Sequence, residues 1–383
     1  MSYRNGKLFL ESKTHVIELI NEFGARVAVC PDWNGRVMTS SCDGIDGDSF
    51  GLIRVKEIET IDPHSSYLAY GGEVQFSLSP RNGPCGLHGT AHGYCEGPFE
   101  IDSAPTEPIL RMRRVLHIRN QIGMHFDLNI RRTVKLLNAG DVQDIFGHDI
   151  EDAISQENVS YVAYEAGSTV INVGQPLHRD KGLFSIRARS MFNAGPNVIV
   201  IIPFRRLVDE FGGGEHSDLE LYYYGRSPPG MLRQLNGNIL LHADGRRHCA
   251  VLVPKTQAQP VYGSIDYRAG VLTIVRFNLP NEPERFEYLS DRPTKQSQET
   301  TPCTESVLHV YNSGDAPDTG QLTSPYYAFD AFSPTAELAH GESLSHVQAT
   351  VHVSADSKTL DYLIQKIFAA NYEQVYNSML RQE

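Results

Sequence analysis

Val198-Ile199-Val200-Ile201-Ile202 is an unbroken run of β-branched residues. Successive side chains of a strand point to opposite faces, so a strand that is apolar at every position must be covered on both sides. Outward from this run, other segments follow the same chemistry in weaker form. His125-Phe126-Asp127-Leu128-Asn129-Ile130 alternates with a period of two, the pattern of a half-buried strand. Val271-Leu272-Thr273-Ile274-Val275-Arg276-Phe277 does so less regularly, and Leu219-Glu220-Leu221-Tyr222-Tyr223-Tyr224 is rich in the aromatic residues that strands favour. Turn pairs recur at Asn5-Gly6, Asn34-Gly35, Asn82-Gly83, Asn236-Gly237 and Asp244-Gly245. Many short strands separated by turns predict a sandwich or barrel rather than βαβ units. The expected fold is all-β and antiparallel.

The chain has 383 residues, 40% hydrophobic and 21% charged. That is ordinary for a globular protein and long enough to bury a large core without covalent staples. No composition break marks a boundary, so residues 1–383 are read as one domain. One helix is expected at the C-terminus, over about residues 357–380. Leu360, Ile364, Ile367, Phe368 and Tyr372 share a stripe at helical spacing, with Ser357 as N-cap, and the helix is expected to dock onto the sandwich. The net charge is −12, which argues against a nucleic-acid partner, since such a partner calls for a basic footprint. The sequence holds no run of about 18 apolar residues, so no membrane span is expected. The stretch from Met1 to Lys13 lacks the apolar core of a signal peptide. The six cysteines are thinly spread and are read as reduced thiols, so the expected location is cytoplasmic.

The densest chemical cluster runs from Pro84 to Cys95. Cys85, His88, His92 and Cys95 have the ligand types zinc takes. The short spacing leaves little backbone to wrap an ion, and the expectation is a glycine-rich loop with no metal and no cofactor. Arg111, Arg113, Arg114, Arg131 and Arg132 concentrate positive charge. They are read as solvated strand faces, with contact to an acidic or phosphorylated sugar as the alternative. The sequence has no Gly-x-Ser-x-Gly elbow, and Gly212-Gly213-Gly214 lacks the lysine of a phosphate loop.

Leu87-His88-Gly89 resembles the Leu-His-Gly of the galactose mutarotases, the aldose 1-epimerases. Further landmarks resemble a poorly characterised bacterial branch of that superfamily. They are Gly24-Ala25-Arg26 with Gly35-Arg36-Val37, Tyr70-Gly71-Gly72-Glu73-Val74-Gln75-Phe76, Asn172-Val173-Gly174, Val310-Tyr311-Asn312, and Tyr326 through Pro334. Their order holds over roughly residues 20–345. The resemblance implies an antiparallel β-supersandwich with a sugar, or an oligosaccharide, on a concave face. It also implies cofactor-free chemistry, in which a carboxylate takes the anomeric proton and a histidine protonates the ring oxygen. On this sequence those roles fall to Asp330 and His88. Arg36, Glu73, His92 and Tyr223 are the expected substrate contacts; the two glycines before Glu73 allow a bend that aims its side chain into a cleft, and a tyrosine can stack on a sugar ring. The sequence departs from the family in lacking the Asn-His-x-Tyr-Phe-Asn motif and in having Ala328 and Asp330 where glutamates are usual. The expected function is therefore carbohydrate binding, with aldose epimerisation as its catalytic form. A non-catalytic sugar-binding or structural relative, or a sugar hydrolase or lyase on the same scaffold, stands as the alternative.

Overall fold

In the computed structural model every residue of Val198–Pro203 is buried, because this strand lies inside a sheet covered on both faces. The structure describes residues 1–60, 70–80, 87–88, 97–102, 108–120, 122–205, 207–208, 215–216, 220–223, 230–246, 248–291, 303–313 and 325–381. Two large sheets form a sandwich. The smaller has six strands in the order Glu220–Tyr223, Cys249–Pro254, Ser306–Ser313, Tyr326–Phe332, Ser185–Asn193, Gln75–Ser79. The larger has eleven, running from Leu232–Leu235 at one edge through Val198–Pro203, Val271–Phe277, Ser343–Ser354 and Ser160–Asn172 to His125–Leu136, Ile109–Asn120 and Leu87–His88 at the other. All strand pairings among the described residues are antiparallel, as the turn-punctuated sequence predicts.

Alternation decides where each side chain goes. Val200 and Ile202 meet Val251, Val310 and Phe329 between the sheets. Ile199 and Ile201 face the other way, with Leu272, Ile274 and Val351, under helices at Ala139–Phe146, His148–Ile154, Ser357–Phe368 and Tyr372–Met379. Each buried Val, Ile or Phe contributes on the order of 1.5–3 kcal/mol, so this double coverage is the main source of stability. The Ser343–Ser354 strand inverts the usual pattern. Its valines Val351 and Val353 face the helices, while the interior receives Gln348 and His352. The amide of Gln348 donates to Ser190 Oγ at 2.8 Å and accepts from the Tyr262 hydroxyl at 3.2 Å, tying the large sheet to the small one.

Three local readings change. Asn5-Gly6 is no turn but lies within the helix Tyr3–Glu11, whose N-cap is Ser2. The C-terminal stripe is two helices rather than one over 357–380, and the first is capped by Asp356, not Ser357. The break comes at Ala369, which adopts the left-handed conformation (φ 49°), followed by Asn371, whose side chain caps the second helix. Asn236-Gly237 is the expected two-residue hairpin, with φ 48° and 77°.

Left-handed backbone costs an alanine about 1–2 kcal/mol and glycine nearly nothing. Ala369→Gly is therefore expected to raise the unfolding free energy by about 1 kcal/mol in denaturant titration. A loss of stability would contradict the assigned helix break.

Candidate functional site

The Tyr326–Phe332 strand sits between Ser306–Ser313 and Ser185–Asn193 in the six-stranded sheet. Phe329, Ala331 and Val310 point into the core, so Asp330 and His309 point to the opposite face. The register makes His309 the cross-strand partner of Asp330, Asp330 that of Arg189, and Arg189 that of Gln75. Four adjacent strands thus place a histidine, an acid, an arginine and an amide in one row. Ser77 and Arg187 are paired one rung along on the same face, and Tyr311 lies two residues beyond His309.

This polar row is enclosed. Gln75 and Asp330 are each 1% exposed, and His309 is fully buried. Arg189 Nε lies 3.1 Å from Asp330 Oδ1, and Arg187 Nη1 is 3.7 Å from both Asp330 Oδ2 and Asp291 Oδ2. Arg187 Nε donates to Ser77 Oγ at 2.7 Å. His309 Nδ1 is 3.0 Å from the Tyr311 hydroxyl, and the Arg189 guanidinium lies 5.4 Å from the centre of the Tyr311 ring. Burial, assisted by Arg187 and Arg189, pushes the His309 pKa down to about 3, so the imidazole is uncharged near neutrality. Burial is also the largest cause acting on Tyr311, and together with Asp330 it raises that phenol well above its usual range. Despite these contacts, both amide atoms of Gln75, His309 Nε2 and both oxygens of Asp330 have no hydrogen-bond partner among the described residues. The Arg189–Asp330 contact is a charge pairing out of line for a hydrogen bond.

Glu73 and Arg36 go elsewhere. Gly71 and Gly72 adopt φ 89° and 110°, and the bend they make carries Glu73 into the gap between the sheets. Its carboxylate accepts from Ser40 Oγ at 2.9 Å, the Tyr164 hydroxyl at 2.7 Å and His352 Nε2 at 3.1 Å. His352 Nδ1 is in turn 2.8 Å from Thr273 Oγ1. Arg36 is wholly buried beside this bend, and its Nη1 donates to the Gly71 carbonyl at 2.6 Å. A Cβ at position 72 would come within 2.7 Å of Arg36 Cδ, so glycine is required there on steric as well as conformational grounds. A cavity of about 230 Å³ opens next to His352, lined by Phe50, Phe192, Thr273 and Tyr327.

His88 forms a backbone bridge to Arg119 at the edge of the large sheet, and its side chain lies outside the described residues. So does the Tyr223 side chain, although its backbone pairs with Cys249. Cys85, His92 and Cys95 lie wholly outside the described residues. Of the sequence-derived residues, the structure assembles a polar cluster around Asp330, built from Gln75, Arg187, Arg189 and His309, which the sequence reading passed over. The signal was present: Arg187-Ala188-Arg189 puts two cations on one face of a strand that is otherwise buried.

The chain belongs to DUF6786, a family of unknown function whose model matches residues 1–379. It is similar to the solved structure of the Slr1438 protein from Synechocystis sp. PCC 6803, at 15% identity and a TM-score of 0.50, covering 90% of this chain and 96% of that one. At this identity the match shows a shared fold. Two further similar structures are proteins assigned provisionally as an aldose 1-epimerase from Escherichia coli K12 and a mutarotase (YeaD) from Salmonella typhimurium. Both are 10% identical, with TM-scores of 0.48 and 0.41; they cover 89% and 87% of this chain, and 99% and 88% of their own. No curated protein matches the chain. No helix among the described residues is long and apolar enough to cross a membrane.

The low pKa of His309 has a measurable consequence. The unfolded chain takes up a proton at this position below about pH 6.5, and the folded chain refuses it until about pH 3. Stability from this group is therefore complete above about pH 6.5 and is lost as the pH falls, at about 1.4 kcal/mol per pH unit. His309→Gln is expected to flatten the fall in unfolding free energy between about pH 6 and about pH 4 by roughly that slope. An unchanged slope would contradict a buried neutral imidazole.

Proposed function

We propose that the outer face of the six-stranded sheet, around Asp330, binds an uncharged saccharide. The observation that carries this reading is the in-register group of buried polar atoms without partners: the Gln75 amide, the Asp330 carboxylate and His309 Nε2. A buried polar group left unpaired costs about 1–3 kcal/mol, and a cluster of them on one face calls for a ligand that both donates and accepts. Sugar hydroxyls do both. The amide offers a donor and an acceptor, the carboxylate accepts, and the imidazole supplies whichever role its tautomer leaves at Nε2. The charges argue for a neutral ligand. Arg187 and Arg189 face Asp291 and Asp330, and His309 is uncharged, so an anionic sugar would bring an unbalanced charge into an enclosed site.

Aldose epimerisation is the finer reading. It is supported by the adjacency of a carboxylate and an imidazole, Asp330 and His309, on neighbouring strands. Two features work against fast proton transfer. Asp330 is engaged by Arg189, and His309 carries no extra proton to give at neutral pH. Recognition is thus the primary activity of the face and anomer exchange the secondary one.

Saturation-transfer NMR against neutral monosaccharides, uronic acids and sugar phosphates, with anomer exchange followed in the same sample, tests both. Neutral sugars are expected to bind, and Gln75→Leu and Asp330→Asn to weaken binding about tenfold or more while the fold is retained by circular dichroism. Tighter binding of anionic sugars that Gln75→Leu and Asp330→Asn weaken, or neutral-sugar binding indifferent to both substitutions, would overturn the assignment. Exchange accelerated by the wild type and lost in Asp330→Asn and His309→Gln would establish the epimerase.

A further inference from the structure

Strand alternation sorts the arginines that the sequence clusters. Arg132 turns inward, donating to the Gly35 carbonyl at 2.6 Å, to Ser168 Oγ at 2.7 Å and to the Val74 carbonyl at 3.1 Å. Burial lowers its pKa to about 9. Arg111, Arg113, Arg119 and Arg131 turn outward and are exposed. Arg113 and Arg131 are direct cross-strand partners, and Arg119 stands opposite His125. Like charges placed opposite one another destabilise a sheet. Glu100, 3.0 Å from Arg113, offsets part of this charge, while Asp127 is engaged with His117 at 2.6 Å. Arg119 and Arg131 have no carboxylate in ion-pair range among the described residues.

At this end of the large sheet the outward positions of the two strands are exposed or half-buried. Helices close its outer face over Ile199 and Leu272, yet between the arginines Val115 remains 59% exposed. On a chain of net charge −12, the Ile109–Asn120 and His125–Leu136 strands therefore present a cationic face, on the side of the sandwich opposite Asp330.

We propose that this face binds an acidic polysaccharide, a chain bearing one carboxylate per sugar ring or fewer, laid along the two strands. Strands rise about 3.3 Å per residue, so Arg111 and Arg119 lie about 26 Å apart, a span of several sugar rings. The exposed Val115 offers an apolar contact for ring faces, and Thr133, cross-strand from Arg111, offers a hydroxyl. Charge density selects among polyanions. A nucleic-acid duplex carries a charge every ~1.7 Å and would meet the repulsion of the acidic remainder of this chain, whereas a uronate chain is sparse enough to be matched by a few arginines. The site is separate from the saccharide face around Asp330 and does not depend on it.

Binding of sodium polygalacturonate, with dextran as the uncharged control, tests this at about 20 mM and about 300 mM salt. The expected result is polygalacturonate binding at least tenfold weaker at the higher salt. That binding should be lost in the double substitution Arg113→Glu and Arg131→Glu and kept in Gln75→Leu. The substituted arginines are exposed, so the fold should survive the change. No binding at low salt, dextran binding that the double substitution abolishes, or an affinity untouched by the double substitution would each overturn the proposal. So would a preference for duplex DNA or anionic vesicles that depends on the same arginines.

Discussion

Asp330 is held in a buried row between the guanidinium of Arg189 and the uncharged ring of His309, and the character of the whole face follows from that pairing. Arg189 and Arg187 reach its two oxygens, and the same two cations add to burial in keeping His309 neutral. Yet the pairing leaves hydrogen-bonding capacity over. Other buried atoms without a hydrogen-bond partner occur among the described residues, including Asn34 Oδ1 and the Tyr288 hydroxyl, but neither residue lies on a strand of the small sheet. Around Asp330 such atoms fall in register on neighbouring strands, and the proposed saccharide site rests on that arrangement.

The opposite side of the small sheet shows what a satisfied polar interior looks like. Glu73 is as deeply buried as Asp330, but its carboxylate collects donors from Ser40, Tyr164 and His352. Gln348 likewise uses both ends of its amide, one toward Ser190 and one toward Tyr262. Of these, the Gln348–Ser190 bond crosses between the two large sheets and helps to fix their spacing. The small sheet is then held on its inner face by packing and hydrogen bonds, and its outer face is a rigid platform for polar groups. Buried networks of this kind specify a unique arrangement because a shift of one strand would strand several donors at once.

Much of the architecture was legible in the sequence because strand burial leaves a period-two signature. Val271–Phe277 begins and ends where its pattern does, and Val198–Pro203 is buried on both faces as its composition requires. The signature fails where local and tertiary preferences part. Asn5-Gly6 is a good turn pair, yet Ser2 caps a helix across it, and the Leu360 to Tyr372 stripe is continuous in sequence although Ala369 bends the chain. The site was less legible. Asp330 was singled out through resemblance, whereas Arg187, Arg189, His309 and Gln75 converge on it only through cross-strand register, which connects positions far apart in the chain. The bend at Gly71-Gly72, legible in the sequence, carries Glu73 into the gap between the sheets, where Tyr164 donates to it. Alternation also explains why adjacent arginines, Arg131 and Arg132, have such different surroundings, one open to solvent and one locked to backbone carbonyls.

The central claim is that the polar row around Asp330 is completed by a saccharide. Nitrogen NMR of histidine-labelled protein reads it most directly, because His309 and His346 are both buried and uncharged while only His309 belongs to the row. The account predicts that a saturating neutral sugar moves the His309 Nε2 resonance and leaves that of His346 in place. A His309 signal that no sugar moves, or one that moves together with that of His346, would contradict it.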